Sequence, residues 1–147
     1  MTQPIHVVCP GCNGVNRVPA ARLAQGPTCG RCKHPLFAGH PVELTGESFD
    51  LHVGRGDLPV VVDFWAPWCG PCRTMAPHFE RAAAALEPEV RLAKVNTEAQ
   101  PALAGRFGIQ SIPTLVAFRG GREVARQSGA MDVTGLTAWV RSAVGVG

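Results

Sequence analysis

Aspartate and glutamate are absent from the first 42 residues, and no aromatic side chain precedes Phe37. That segment carries Arg17, Arg22, Arg31 and Lys33, a formal +4, while residues 43–147 hold ten Lys and Arg against eleven acids. Cations without interleaved aromatics make a poor nucleic-acid surface, because strand binding draws on base stacking as well as on charge. Nucleic acid is therefore not expected as a partner. No apolar run approaches the roughly 18–20 residues of a membrane span. Met1-Thr2-Gln3-Pro4-Ile5-His6 lacks the basic and apolar regions of a secretory signal. The expectation is a cytoplasmic protein, monomeric by default, without membrane attachment. A nucleotide-binding glycine fingerprint is also missing, so neither flavin nor nicotinamide is expected on this chain.

Six cysteines are present, and they form three CxxC pairs: Cys9/Cys12, Cys29/Cys32 and Cys69/Cys72. In a reducing compartment such a set argues for metal or catalysis rather than structural disulfides. Sixteen residues separate the first two pairs, which is the spacing of a zinc site. Each CxxC turn aims two sulfurs at one ion, and two turns complete a tetrahedron. Gly11, Gly14 and Gly30 are expected to supply the backbone freedom of these turns. The alternatives are two disulfides or four free thiols. A segment this poor in large apolar residues usually needs a metal staple, which favours zinc on Cys9, Cys12, Cys29 and Cys32. His6, His34 and His40 then fall on the surface. The expected division is a metal module over residues 1–40 and a second domain over 41–147, joined at residues 39–45.

The second domain reads as alternating strands and helices. Helices are expected over Glu47–Val53, Cys69–Leu86, Pro101–Phe107 and Val133–Val144. Strands are expected over Val60–Ala66, Arg91–Asn96, Thr114–Phe118 and Glu123–Gln127, the last two joined by a tight turn at 119–122. The near-continuous apolar run Val60–Ala66 suits a central strand buried on both faces. Cys69 and Cys72 follow it, at the start of a helix. The unpaired N–H groups and the dipole of a helix N-terminus stabilise an anion, and the thiolate is the reactive form of cysteine. Cys69 is thus the expected nucleophile, and Cys72, one turn on, the resolving thiol. Asp63 interrupts the apolar strand. Burial should raise its pKa and let it accept a proton near neutrality.

The stretch Val62-Asp63-Phe64-Trp65-Ala66-Pro67-Trp68-Cys69-Gly70-Pro71-Cys72 resembles the thioredoxin active-site signature. The likeness continues through Lys94-Val95-Asn96, Ser111-Ile112-Pro113-Thr114 and Gly129-Ala130, covering residue 43 or so to the C-terminus. The resemblance implies a thioredoxin fold, a mixed sheet flanked by helices. It makes Asp63 the base for Cys72 and Lys94 its ion-pair partner. It places a cis peptide bond at Ile112-Pro113 and a kink proline at Pro77. It assigns substrate docking to Trp65, Trp68, Gly70, Pro71, Ile112, Pro113, Gly129 and Ala130. The two N-terminal CxxC pairs extend the likeness to the zinc-containing thioredoxin 2 subfamily of bacteria. The implied activity is general reduction of protein disulfides, with a thioredoxin reductase as recycling partner. Two other readings compete. The zinc thiolates could form a redox sensor or client-binding switch, or the basic module could be a nucleic-acid-binding ribbon.

Overall fold

A computed structural model describes residues 3–146. The central strand forms where the apolar run demands it, as β4 (Val60–Trp65), whose first five residues are buried. Including it, the strands are β1 (Pro4–Val8), β2 (Val15–Pro19), β3 (Val42–Glu43), β4, β5 (Arg91–Asn96), β6 (Thr114–Arg119) and β7 (Arg122–Ser128). The helices are α1 (Gly70–Leu86), α2 (Pro101–Arg106) and α3 (Val133–Val144). Strands β3 to β7 make one five-stranded sheet in the order β3-β5-β4-β6-β7. β5 is parallel to both β3 and β4, while β6 is antiparallel to β4 and β7.

Strand alternation divides the core. Val61, Leu92, Leu115 and Ala117 face α1 and α3. Val60, Val62, Phe64, Ala93 and Val116 face Leu103 of α2 and the Phe49 segment. Asp63, two residues from Val61, lies on the α1 side. The β6–β7 turn places Gly120 and Gly121 at φ 60° and 78°, the paired left-handed conformation of a two-residue hairpin turn. α1 runs unbroken through Pro77, so Cys69 stays attached to the helix end.

The helix expected over Glu47–Val53 forms slightly later, as helical residues 49–50 continued by a π-helix at Leu51–Arg55. Ser48 Oγ accepts the Thr45 N–H at 2.9 Å, a capping contact at its start, and Gly54 and Gly56 bring it to an end. A two-residue edge strand, β3, appears where only a junction is expected; so short a strand leaves no periodicity to read.

The N-terminal module packs on the sheet domain. Its β1–β2 hairpin encloses Val7, Cys9, Val18, Cys29 and Leu36, and Leu58 of the larger domain joins that cluster. Arg91, only 3% exposed, is the strut. Its Nη1 donates to Glu87 Oε2 at 2.8 Å, and its Nη2 donates to the Leu36 and Val8 carbonyls at 2.9 and 3.3 Å. Glu87 Oε1 in turn accepts the Gly39 N–H at 2.8 Å. A charge this buried is tolerated because it is paired with Glu87 and three of its five N–H donors find acceptors. His52 with Asn13 at 3.0 Å and His6 with Asp57 at 2.9 Å complete the contact.

Candidate active site and metal centre

Cys69 is the N-cap of α1, with extended backbone (φ −82°, ψ 114°), and its sulfur accepts the Cys72 N–H at 3.2 Å. An N-cap acceptor satisfies one of the orphan donors of the first turn. A Cys69 thiolate would therefore receive both that hydrogen bond and the helix dipole. Here Cys69 and Cys72 are joined as a disulfide, which is the oxidised form of the pair. Both are buried, at 5% and 3%, whereas the neighbouring Trp68 is 68% exposed. Gly70 has open space where a Cβ would stand, and Pro71 sits in the first turn of α1, where a missing N–H costs nothing.

Several residues to which the resemblance assigns docking lie close to these sulfurs. Ile112-Pro113 is cis, and the Ile112 carbonyl lies 3.8 Å from Cys69 Sγ. Trp65 and Ile112 pack on the Ala66–Cys69–Cys72 cluster. Gly129 donates to the Pro113 carbonyl at 2.9 Å with φ 102°, and Ala130 beside it is exposed. A shallow cleft of about 180 Å³ lies between Trp68 and Ile112. Its far wall is Thr97, Ala104, Ile109 and Gln110, which sequence reading misses because three separate segments contribute it. A second cis bond, Glu87-Pro88, is likewise unsignalled.

Asp63 is 1% exposed, and its Oδ1 has no hydrogen-bond partner among the described residues. Burial pushes its pKa up to about 7, against a smaller opposing pull from Lys94. Lys94 stands directly opposite Asp63 in the β4–β5 register. The two do not close a salt bridge, and the Lys94 ammonium lies over the Trp65 ring, 4.4 Å from its centroid. The pair expected from the sequence is thus adjacent and electrostatically coupled without touching.

At the other end of the molecule, the sulfurs of Cys9, Cys12, Cys29 and Cys32 all lie within 4.8 Å of one another. The Cys9–Cys32 and Cys12–Cys29 separations are 3.5 and 3.7 Å. Tetrahedral coordination at a Zn–S distance near 2.3 Å requires sulfurs about 3.8 Å apart. The four thiols fit that ion. The two knuckles are built alike. Cys9 N–H donates to the Gly14 carbonyl and Cys29 N–H to that of His34, both at 2.8 Å. Asn13 and Lys33 then return to the Cys9 and Cys29 carbonyls at 2.9 Å. The left-handed positions of these turns are Asn13 (φ 63°) and Lys33 (φ 69°) rather than Gly11, Gly14 or Gly30. Gly11 and Gly14 serve close approach instead: a Cβ would stand 3.2 Å from the His34 ring and 3.3 Å from Cys12 Sγ. Donation from Gly11 N–H to Cys9 Sγ and from Arg31 N–H to Cys29 Sγ supports thiolate charge. His34 and His40 are exposed and His6 half-buried, each hydrogen-bonded elsewhere.

A dithiol on a helix N-cap, beside an apolar cleft and a buried carboxylate, defines a protein of thiol–disulfide exchange. The thioredoxin family model matches residues 40–142, and a model described as "Thioredoxin 2, N-terminal" matches residues 8–34. Thioredoxin C-3 of Corynebacterium nephridii is 46% identical over 134 residues, covering 91% of this chain and 92% of its own. Thioredoxin 1 of Nostoc sp. is 45% identical over 95 residues, 65% of this chain and 89% of its own. The solved structure of a mutant thioredoxin from Halobacterium salinarum superposes with a TM-score of 0.65 at 31% identity, covering 72% of this chain and 92% of that one. The chain belongs to the thioredoxin family, with the N-terminal zinc ribbon of the thioredoxin 2 branch, and is a thiol–disulfide oxidoreductase. Among the described residues no helix is long and apolar enough to cross a membrane.

Proposed function

We propose that the protein is a general cytoplasmic reductant of protein disulfides, recycled by a flavin-dependent thioredoxin reductase. The observation that carries this reading is the Cys69 sulfur at the α1 N-cap, next to an exposed Trp68 and the Ile112 carbonyl. In the reduced protein the Cys69 thiolate attacks a substrate disulfide. One substrate sulfur leaves as a thiolate and takes up a proton. Cys72 gives its proton to Asp63, through water, and attacks Cys69 sulfur. The second substrate sulfur departs, and the two electrons of the dithiol have passed to the substrate. Lys94 tunes Asp63. Trp65, Trp68, Gly70, Pro71, Pro113, Gly129 and Ala130 frame the surface, on which the Ile112 main chain pairs with an extended substrate. Flavin and nicotinamide belong to the partner.

The experiment is insulin reduction with NADPH and a bacterial thioredoxin reductase. Rapid turnover that disappears without the reductase supports the reading; no turnover, or turnover only with a small dithiol as reductant, rejects the recycling partner.

We place the division of the chain at residues 40 and 41, with one zinc on Cys9, Cys12, Cys29 and Cys32. When bound, the metal would hold two knuckles that share only a small apolar cluster. The reduced protein is expected to carry one zinc per chain. Replacement by Co²⁺ should give the intense visible bands of a tetrahedral tetrathiolate site. Cys9→Ser should lose both zinc and bands, whereas Cys69→Ser should keep them; equal retention in both variants would reject the site. A regulatory reading draws on one observation, the exposure of Cys32, which leaves that thiolate open to peroxide. Zinc release before Cys69/Cys72 turnover declines would favour a switch.

A further inference from the structure

Sheet register brings a third charged side chain to the Asp63–Lys94 couple. Glu43 of β3 stands opposite Lys94 of β5, and Lys94 stands opposite Asp63 of β4. Directly opposed residues of neighbouring strands share one face of the sheet. The three therefore form a row, carboxylate–ammonium–carboxylate, on the α1 side. Among the described residues Lys94 closes a salt bridge with neither acid. Its Nζ rests on Trp65, which follows Asp63 by two residues on the same face. The buried Trp65 indole N–H closes no hydrogen bond among the described residues. Glu43 is open to solvent, whereas Asp63 is sealed.

One ammonium cannot fully neutralise two carboxylates. We propose that Glu43 is a positioning residue for the dithiol chemistry, competing with Asp63 for Lys94 and leaving the buried carboxylate less neutralised than an isolated Asp–Lys couple would be. The inference rests on the reading of Asp63 as the base for Cys72. The charged groups that act on Asp63 are Lys94, which favours its ionised form, and Glu43, which opposes it; both act on top of a larger effect of burial. Of the elements packed on this face, α1 carries the Cys72 thiol and the half-buried His78, whose Nδ1 has no hydrogen-bond partner among the described residues. β6 and α3 add Leu115, Leu136 and Val140, which do not titrate. Glu43 thus holds the proton on Asp63 to higher pH and delays the point at which Asp63 can take one from Cys72.

Glu43→Gln tests this, with Glu89→Gln, an exposed acid past the C-terminal end of α1, as the charge control. The Asp63 carboxyl is followed by carbon NMR titration and identified by its loss in Asp63→Asn. The pH profile of insulin reduction is measured alongside. Two strand spacings separate Glu43 from Asp63, roughly 9–10 Å. Screening between that of bulk water and that of a protein surface then gives an expected fall in the Asp63 midpoint of about 0.3–1.2 pH units. The rate profile of Glu43→Gln should move down by the same amount, and Glu89→Gln should move neither. An unmoved Asp63 midpoint in Glu43→Gln overturns the proposal while leaving Asp63 as base. A midpoint that moves without the rate profile overturns the role of Asp63 itself, and the role of Glu43 falls with it.

Discussion

Cys72→Ser is expected to stop turnover with substrate still attached to the protein. Cys69 keeps its N-cap position and its dipole in that variant, so the first attack proceeds. No thiol then stands one turn along α1 to resolve the mixed disulfide. Cys69→Ser should instead give neither turnover nor adduct, because a serine hydroxyl is not ionised near neutrality. Both variants should lose at least about 10³-fold in insulin reduction, the order seen when a nucleophile is removed. Only Cys72→Ser should form a reducible covalent complex on a non-reducing gel. An adduct on Cys69→Ser and none on Cys72→Ser would reverse the assignment. The buried state of both sulfurs makes the test informative: the asymmetry comes from the cap position and from nearness to Ile112, not from a difference in exposure.

What the sequence made legible was local chemistry. Three CxxC pairs and their spacing identified both thiol sites, and the apolar run before Cys69 placed the dithiol at a strand–helix junction. Asp63 stood out because an acid inside such a run must be buried. The unread features depend on contacts distant in the chain. Arg91 looks like an ordinary strand-opening residue, yet it ties residues 8 and 36 to the larger domain. Glu43 gains its importance only through a two-residue strand paired with β5. Asn13 and Lys33 adopt left-handed backbone in the metal knuckles while the neighbouring glycines do not. Asn13 suits that conformation, and at Lys33 the hydrogen bonds of the knuckle override residue preference.

Asp63→Asn should make the protein more stable and less active together. The native Asp63 holds its proton up to about pH 7 because burial penalises the anion. In the unfolded chain it titrates near the ordinary aspartate value of about 3.9. Between those two values the native state binds more protons than the unfolded state, so stability falls as pH rises. Asp63 therefore costs nothing below the unfolded value, and its full penalty is present once pH exceeds the native one. A displacement of about three units corresponds to roughly 4 kcal/mol. Asn cannot ionise, so denaturant unfolding should find the variant more stable by about 3–4 kcal/mol at pH 8–9, with the gap closing towards pH 4. Insulin reduction by the same variant should fall by about 10²-fold or more, the usual contribution of a positioned base. A stability gain independent of pH would mean that packing, not the buried charge, separates Asp from Asn. A pH-dependent gap with activity intact would show that the carboxylate is buried without serving Cys72. The combined result, a stabler protein that exchanges slowly, would identify an acid whose unfavourable burial is what adjusts its affinity for a proton to the pH at which Cys72 must lose one.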